Sequence, residues 1–271
     1  MKILRSKDNT LFKDLQRLAG SSRERRQRGL ALLEGERLID AYVRTGKIPE
    51  VLIASEAAIR RDAIRNAFDN TRARQHVVLD DSLLERISQV VSASGLIAVV
   101  ETPETPSLPI SVGDCLLLEN IQDPGNLGSI LRTAAAANVR QVFLSRGCVF
   151  AWSPKVVRAG MGAHFSLDIY EGIDLFEIIT RATGTVVATL AATDRTIDTC
   201  DLKGPIAWMF GNEGAGLSPE MIAAATLTLT IPMPGTAESL NVAAAAAVCL
   251  FEQVRQRRMT HGPPSRRVAP V

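Results

Sequence analysis

Three segments in the C-terminal half of the sequence place glycines, carboxamides and carboxylates directly after apolar runs. They are residues 120–133 (NIQDPGNLGSILRT), residues 209–218 (MFGNEGAGLS) and residues 231–252 (IPMPGTAESLNVAAAAAVCLFE). Each joins a predicted loop to the start of a predicted helix, where backbone N–H groups lack partners within the helix and carry partial positive charge. A strand, a Gly-rich or Pro-rich loop and a capped helix N-terminus together predict a pocket with exposed backbone N–H groups.

The third segment shows this pattern in detail. Residues 226–231 alternate Thr with apolar residues and predict a strand, which the prolines within residues 232–235 must end. Ser239 is typical of an N-cap, so a helix is predicted from Leu240. Five consecutive alanines, residues 243–247, let other backbone pack closely against that helix. Taken alone, these residues also fit an ordinary β–loop–α connection.

The glycines of the second segment, Gly211, Gly214 and Gly216, are spaced neither as G-x-G-x-x-G nor as a Walker loop. A nucleotide-phosphate site is therefore not predicted, and turn geometry at positive φ remains an alternative reason for all three glycines. The three histidines have no ligand spacing, the four cysteines form no C-x-x-C pair, and no Gly-x-Ser-x-Gly sequence occurs. The sequence thus predicts no metal site and no serine or cysteine nucleophile.

The three segments, in this order and with many identities at fixed spacing, resemble the signature motifs of the SpoU-type (TrmH-like) RNA ribose 2′-O-methyltransferases of the SPOUT superfamily. The resemblance covers roughly residues 114–255. It implies S-adenosyl-L-methionine as cofactor, the 2′-hydroxyl of an RNA ribose as methyl acceptor, and a homodimer, because sites of this family lie at a dimer interface. It also implies an α/β fold with a C-terminal trefoil knot, which residue patterns alone do not predict.

The resemblance also implies roles for individual residues. Arg132 matches the catalytic arginine, and Asn126 matches a residue that holds this arginine and the substrate. Glu213, Ser239 and Asn241 are implied as walls of the site, although Glu and Asn side chains in loops often cap helices instead. The residues implied to contact or line the cofactor are Thr189, Leu190, Gly211, Asn212, Gly216, Ile231, Met233, Ser239 and Leu240.

Arg132 has two possible catalytic roles and one ordinary alternative. It could act as a general base, or it could bind the phosphate beside the target ribose and polarise the 2′-hydroxyl by a charge-assisted hydrogen bond. The second role is favoured because a guanidinium keeps its proton. Without the resemblance, a surface arginine on a helix is the more common case.

Charge is unevenly distributed along the chain. Residues 1–30 carry nine Lys/Arg against three Asp/Glu, and residues 255–271 carry five Arg and no acid, although the whole chain has a net charge of only +2. Basic ends on an acidic body suggest a polyanionic partner, and a solubilising face is the alternative. The residues predicted to bind RNA are Arg23, Arg25, Arg26, Arg28 and Arg158.

Two domains are expected. Helices predicted at residues 10–18, 30–42, 59–68 and 82–91 alternate with strands at 51–54, 77–79 and 96–100, a pattern similar to the L30e-like RNA substrate-binding domain of this family. A Pro-rich linker, residues 101–113, follows. Residues 114–258 repeat β–α units, among them a strand predicted at 165–170, and imply a mostly parallel sheet covered on both faces. Residues 259–271 are predicted to be a basic, disordered tail.

The exact substrate and compartment follow less directly from the sequence. No apolar segment at the N-terminus is typical of a secretory signal, the longest apolar run is about half of a bilayer span, and sparse cysteines fit a reducing cytoplasm. Ribosomal RNA, most simply 23S rRNA, is the favoured substrate, with tRNA as an alternative. Two further functions compete with methyl transfer, namely a catalytically silent RNA-binding assembly factor and a nucleotide-binding oxidoreductase. A role in antibiotic resistance stays open.

Overall fold

Short apolar strands alternate with helices along the whole chain, and they form two separate sheets. A computed structural model describes residues 2–88 and 94–261. Up to residue 101 the elements are β1 (Lys2–Leu4), α1 (Thr10–Gly20), α2 (Ser22–Arg28), β2 (Leu30–Glu34), α3 (Glu36–Val43), β3 (Val51–Ser55), α4 (Asp62–Asn70), β4 (Gln75–Leu79), α5 (Asp81–Ile87) and β5 (Leu96–Glu101).

The remaining elements follow from residue 115 onward. They are β6 (Cys115–Leu118), α6 (Pro124–Ala136), β7 (Gln141–Leu144), α7 (Pro154–Gly160), β8 (Asp168–Glu171), α8 (Leu175–Ile179), β9 (Thr185–Thr189), β10 (Ile206–Phe210), α9 (Pro219–Ala223), β11 (Leu227–Leu229) and α10 (Val242–His261). Short 3₁₀ helices occur at Ala58–Arg60 and Ala163–Ser166.

The first sheet has five strands in the order β1-β4-β3-β5-β2. Strands β1, β4 and β3 are parallel, whereas β5 runs antiparallel to both β3 and β2. Its core includes Phe12, Ile53 and Leu79, none of which is exposed to solvent. This mixed α/β unit agrees with the alternation seen in the sequence, and its L30e-like character stays a prediction of the resemblance.

The prediction of a helix over residues 30–42 is wrong in its first half. Leu30–Glu34 is strand β2, and only Glu36–Val43 is helical. Gly29 and Gly35 flank the strand with φ of 60° and 102°, a conformation that glycine adopts easily. Strand β2 pairs with β5 over five residues, so a distant partner supplies the hydrogen bonds that a local helix would have made.

The second sheet is entirely parallel, with six strands in the order β11-β9-β10-β6-β7-β8. This confirms the prediction of a mostly parallel sheet in an α/β fold. The predicted strand at residues 165–170 is displaced, because Ala163–Ser166 forms a 3₁₀ helix and β8 begins at Asp168. The trefoil knot stays a prediction of the resemblance.

The division of the chain differs from the predicted domains in two respects. Residues 1–105 and 150–166 form one compact unit, and residues 106–149 and 167–271 form the other, so α7 packs with the first unit. The predicted linker, residues 101–113, is also shorter than expected. Glu101 ends β5, and Val112 is fully buried and exchanges backbone hydrogen bonds with Arg181 (2.9 Å) and Thr183 (2.8 Å).

Polar side chains fix the C-terminal half of α10 within the second unit. Gln253 accepts a hydrogen bond from the Trp208 indole Nε1–H (2.9 Å), and Arg257 donates to both carboxylate oxygens of Asp114 at 2.7 and 2.8 Å. Because α10 continues to His261, the predicted tail does not begin at residue 259. The rest of the predicted tail, residues 262–271, lies outside the described residues, as do residues 89–91 of the helix predicted at 82–91.

The described part of the chain contains no helix that is both long and apolar enough to span a bilayer. The four cysteines are free.

His164 makes the first unit sensitive to acid. The imidazole is fully buried, its Nε2–H donates to the Ala151 carbonyl at 2.9 Å, and its Nδ1 has no hydrogen-bond partner among the described residues. Burial lowers the pKa of His164 from 6.5 to about 4. Between these values the unfolded chain binds a proton that the folded chain does not, so the free energy of unfolding decreases as the pH falls below 6.5.

We therefore expect His164→Gln, which cannot titrate, to flatten the pH dependence of stability. The titration of His164 accounts for at most about 3 kcal/mol of the free energy of unfolding between pH 7 and 4. Urea unfolding of both proteins at several pH values in this window measures the difference. An identical pH dependence in the two proteins would contradict this origin.

Candidate functional site

The three loops identified in the sequence meet at one edge of the second sheet. Strands β9, β10 and β6 are parallel neighbours, so their C-terminal ends lie side by side. The loops after β10 and β6 start at that edge, and β9 ends there with Thr189, whose hydroxyl donates to the Met209 carbonyl at 2.8 Å. The carboxyl edge of an open parallel sheet is the usual place for a ligand site.

The glycine-rich loop after β10 is a tight turn closed by its own backbone. Asn212 and Gly216 exchange two backbone hydrogen bonds of 2.9 Å, and the Asn212 Oδ1 accepts from the N–H groups of Gly214 and Ala215. Of the three glycines, only Gly216 has a positive φ, of 72°. Gly211 is required for another reason, because a Cβ there would overlap the backbone of Gly216 and Leu217.

Glu213 joins this loop to the start of α6. Its carboxylate accepts hydrogen bonds from the backbone N–H groups of Gln122 (3.3 Å) and Asp123 (3.1 Å) and from the side-chain amides of Asn126 (3.1 Å) and Asn212 (3.4 Å). Partial burial alone would raise the pKa of Glu213, but the hydrogen bonds from Asn126 and from backbone N–H groups hold it below its ordinary value. The carboxylate therefore stays ionised and connects two of the loops.

Asn126 connects the third loop to the same group. Its amide nitrogen donates to Glu213, and its Oδ1 accepts from the Asn241 Nδ2 at 2.9 Å. The Asn241 Oδ1 in turn accepts from the Ala243 N–H at 2.9 Å, so Asn241 caps α10. The prediction of Ser239 as the N-cap is wrong, because the helix begins three residues later, at Val242.

A cavity of about 280 Å³ lies between these loops. All nine residues predicted to contact the cofactor line it, and they are Thr189, Leu190, Gly211, Asn212, Gly216, Ile231, Met233, Ser239 and Leu240. Glu213 and Asn241 also line it. Sequence reasoning missed Glu238, Phe210 and Leu217, which line the cavity next to predicted residues and could have been included as their chain neighbours.

The structure separates the two residues predicted from the first segment. Asn126 belongs to the hydrogen-bonded network, whereas Arg132 is exposed on α6 and does not line the cavity. Within the described residues, no hydrogen bond or ion pair of the Arg132 side chain is found. Its guanidinium therefore remains available to a ligand from outside.

Much of the predicted basic RNA-binding cluster is engaged within the chain. The prediction that Arg25 binds RNA is wrong. Its side chain is only 5% exposed and donates hydrogen bonds to the carbonyls of Leu18 and Ala19 at the end of α1. Arg28 forms a two-pronged ion pair with Asp14, and Arg26 lies over the Phe150 ring at 4.5 Å.

The other two predicted RNA-binding residues keep exposed side chains. Arg23 is on α2, and Arg158 is on α7 in the first unit, not on the second domain as predicted. Among the described residues, no group of three or more His, Cys, Asp or Glu could hold a metal ion.

Known proteins resemble this chain in both sequence and structure. The profile of the SpoU rRNA Methylase family matches residues 115–251. A 23S rRNA (uridine-2′-O)-methyltransferase of Streptomyces viridochromogenes is 31% identical, with 92% of this chain and 91% of the relative covered. A 23S rRNA (guanosine-2′-O)-methyltransferase of Bacillus subtilis is 29% identical, with 93% and 98% covered.

A solved structure resembles both units of the chain. It is the SpoU methyltransferase AviRb from Streptomyces viridochromogenes in complex with AdoMet. It superposes with a TM-score of 0.82 at 30% identity and covers 92% of this chain and 98% of its own.

The loop geometry predicts that Gly211→Ala opens the turn after β10. The added methyl group would force the backbone of Gly216 away, so we expect a loss of stability of about 1–3 kcal/mol. The amides of Asn212 and Gly216 should also lose protection from hydrogen exchange, since they close the turn. Chemical unfolding and amide exchange measure both effects.

Gly214→Ala is the matched control in the same loop. Its Cβ would meet only the Asn212 Oδ1, at 3.6 Å, and its φ is not in the left-handed region. We expect near-normal stability and unchanged protection of Asn212 and Gly216. An equal loss of stability and of amide protection in the two variants would contradict the close approach of the backbone as the reason for glycine at position 211.

Proposed function

The chain belongs to the SpoU rRNA methylase family, and from this premise we propose that it is an S-adenosylmethionine-dependent RNA 2′-O-ribose methyltransferase acting on ribosomal RNA. The observation that carries the proposal is the joining of three loops around one cavity through Asn126, Glu213 and Asn241. Relatives that match over nearly the full chain methylate 23S rRNA, as their names state.

The cavity has the chemical character that the cofactor needs. Its larger apolar side chains, which can pack on the faces of an adenine ring, include Leu190, Phe210, Leu217, Ile231, Met233 and Leu240. Strand ends beside them offer backbone N–H and C=O groups for the edge of the base. The cofactor supplies a methyl group activated by a sulfonium. The protein's part is to hold the acceptor oxygen in line with that methyl group.

Arg132 acts on the acceptor strand in this proposal. A guanidinium is a poor base but a strong donor, so it binds the phosphate next to the target ribose and donates a hydrogen bond to the 2′-oxygen. That bond stabilises the negative charge left on the oxygen as the hydroxyl proton passes to solvent water, and the oxygen then bonds to the methyl group while the methyl–sulfur bond breaks. Its exposed position on α6 leaves it free to meet RNA.

The substrate is RNA because the acceptor, a 2′-hydroxyl, is absent from DNA. Ribosomal RNA is favoured over tRNA because two relatives that match 93% and 92% of the chain are named as 23S rRNA methyltransferases. A silent assembly factor is disfavoured because Asn126, Arg132 and Glu213 are all present. Four free cysteines and a ribosomal substrate fit the expected cytoplasmic location.

We further propose a homodimer formed through α10. The outward stripe of this helix, Ala244, Val248 and Phe251, is apolar where a solvent-facing helix surface is ordinarily polar. Val248 is 39% exposed and Phe251 is 48% exposed. A second copy of the chain would cover this stripe.

The function is tested by Arg132→Ala. We expect this variant to bind S-adenosylhomocysteine normally, because Arg132 does not line the cavity. Methyl transfer to unmodified ribosomal RNA should fall at least about 100-fold, the usual loss of a group that stabilises developing charge. Calorimetry measures binding, and labelled methyl transfer followed by mapping of 2′-O-methyl sites measures turnover, with bulk tRNA as a parallel substrate.

Arg140→Ala is the matched control, since Arg140 is also an exposed arginine and lies just after α6. It should retain full turnover. Near-normal turnover of Arg132→Ala would remove Arg132 from the mechanism. Methylation of tRNA but not of rRNA would replace the proposed substrate.

The homodimer is tested by Phe251→Asp. A carboxylate in the apolar stripe would be desolvated without a partner in the interface, so we expect the dimer to dissociate at micromolar concentration. Light scattering after size exclusion measures the mass. Phe176→Asp on α8, a similarly exposed phenylalanine at 44%, should remain dimeric. A wild-type monomer, or an unchanged mass in Phe251→Asp, would contradict this interface.

A further inference from the structure

The charged side chains of the cavity are all acidic. Among the described residues that line it, only Glu213 and Glu238 carry charge, and none is a lysine or an arginine. The proposed cofactor carries two cationic groups, a sulfonium and an α-ammonium, and one carboxylate. The cavity is therefore matched to the cationic part of this ligand.

The two glutamates are not equivalent. An ionised carboxylate has about four acceptor positions, and the four N–H donors of Gln122, Asp123, Asn126 and Asn212 occupy those of Glu213. Glu238, by contrast, is exposed, and no hydrogen bond or ion pair of its side chain is found within the described residues. The carboxylate of Glu213 is thus occupied in joining the loops, whereas the carboxylate of Glu238 can accept hydrogen bonds from a ligand.

We propose that Glu238 is a positioning residue that binds the α-ammonium group of the methionyl part of the cofactor. This inference rests on the proposed function and assigns a recognition role within the same cavity. An ammonium group donates hydrogen bonds to a carboxylate, whereas a sulfonium has no N–H or O–H to donate.

The sulfonium is also the wrong target for a carboxylate on energetic grounds. Its positive charge disappears as the methyl group leaves. A carboxylate placed against it would therefore stabilise the reactant more than the transition state and slow the transfer. The ammonium keeps its charge throughout the reaction, so Glu238 can hold it without opposing the chemistry.

The neighbours of Glu238 make this role useful to the rest of the cavity. Glu238 directly precedes Ser239 and Leu240, which also line the cavity, in the segment between β11 and α10. A contact between Glu238 and the methionyl end would fix this segment against the ligand.

The test is a cycle of two proteins and two ligands measured by titration calorimetry. The proteins are wild type and Glu238→Gln, and the ligands are S-adenosylhomocysteine and its desamino analogue, which lacks only the ammonium group. We expect Glu238→Gln to lower the affinity for S-adenosylhomocysteine roughly three- to tenfold, which is the usual contribution of a partly exposed charge-assisted hydrogen bond. The desamino analogue should bind the two proteins equally well. It could bind the variant slightly better, because the carboxylate of the analogue no longer faces the negative charge of Glu238.

Glu220→Gln, at an exposed glutamate of α9 outside the cavity, is the control and should bind both ligands as wild type does. Circular dichroism checks that each variant is folded. An equal loss for both ligands in Glu238→Gln would place the contact on the nucleoside half and overturn the assignment. Unchanged affinity for both ligands would also overturn it. A wild-type chain that binds neither ligand would instead defeat the proposed function, and this inference with it.

Discussion

A chain of hydrogen bonds from Glu213 through Asn126 to Asn241 is the interaction on which the site depends. It joins the loop of Asn126 to those of Glu213 and Asn241, which lie 87 and 115 residues away in sequence. Every polar side-chain atom of these three residues has a defined partner. The carboxylate of Glu213 accepts only N–H groups, and each asparagine uses its oxygen and its nitrogen on different neighbours. Such a network has one low-energy arrangement, since any other leaves polar groups unpaired.

This network changes the roles of the residues that the sequence places in the site. Asn126, Glu213 and Asn241 hold the loops together, and Asn212 closes the turn after β10 and donates to the Asn120 carbonyl at 2.9 Å. Two charged side chains, Arg132 on α6 and Glu238 in the cavity lining, make no hydrogen bond or ion pair among the described residues and are available to ligands. Arg132 is cationic and lies outside the cavity, which suits a phosphate-bearing methyl acceptor. Glu238 is anionic and lines the cavity, which suits a cationic methyl donor.

The first unit shows why charge along a sequence does not by itself define a binding surface. Arg25 is in the densest basic cluster, yet it satisfies the carbonyls at the end of α1. Burial lowers the pKa of its guanidinium, and hydrogen bonds to two carbonyls offset the cost of removing it from water. Arg28 is held by Asp14, so the exposed positive charge of this helix is smaller than its composition suggests.

The sequence by itself determined the parallel α/β character of the second unit and the loops of its site, because apolar runs, prolines and glycines act over a few residues. Ser218 caps the helix predicted to follow it, and every residue expected to contact the cofactor lines one cavity. Tertiary structure decided the rest. Leu30–Glu34 became a strand because β5 pairs with it, and Glu213 and Asn126 became loop connectors because their partners are distant in sequence. Hydrogen bonds between distant segments leave no local pattern, so only the folded chain could assign them.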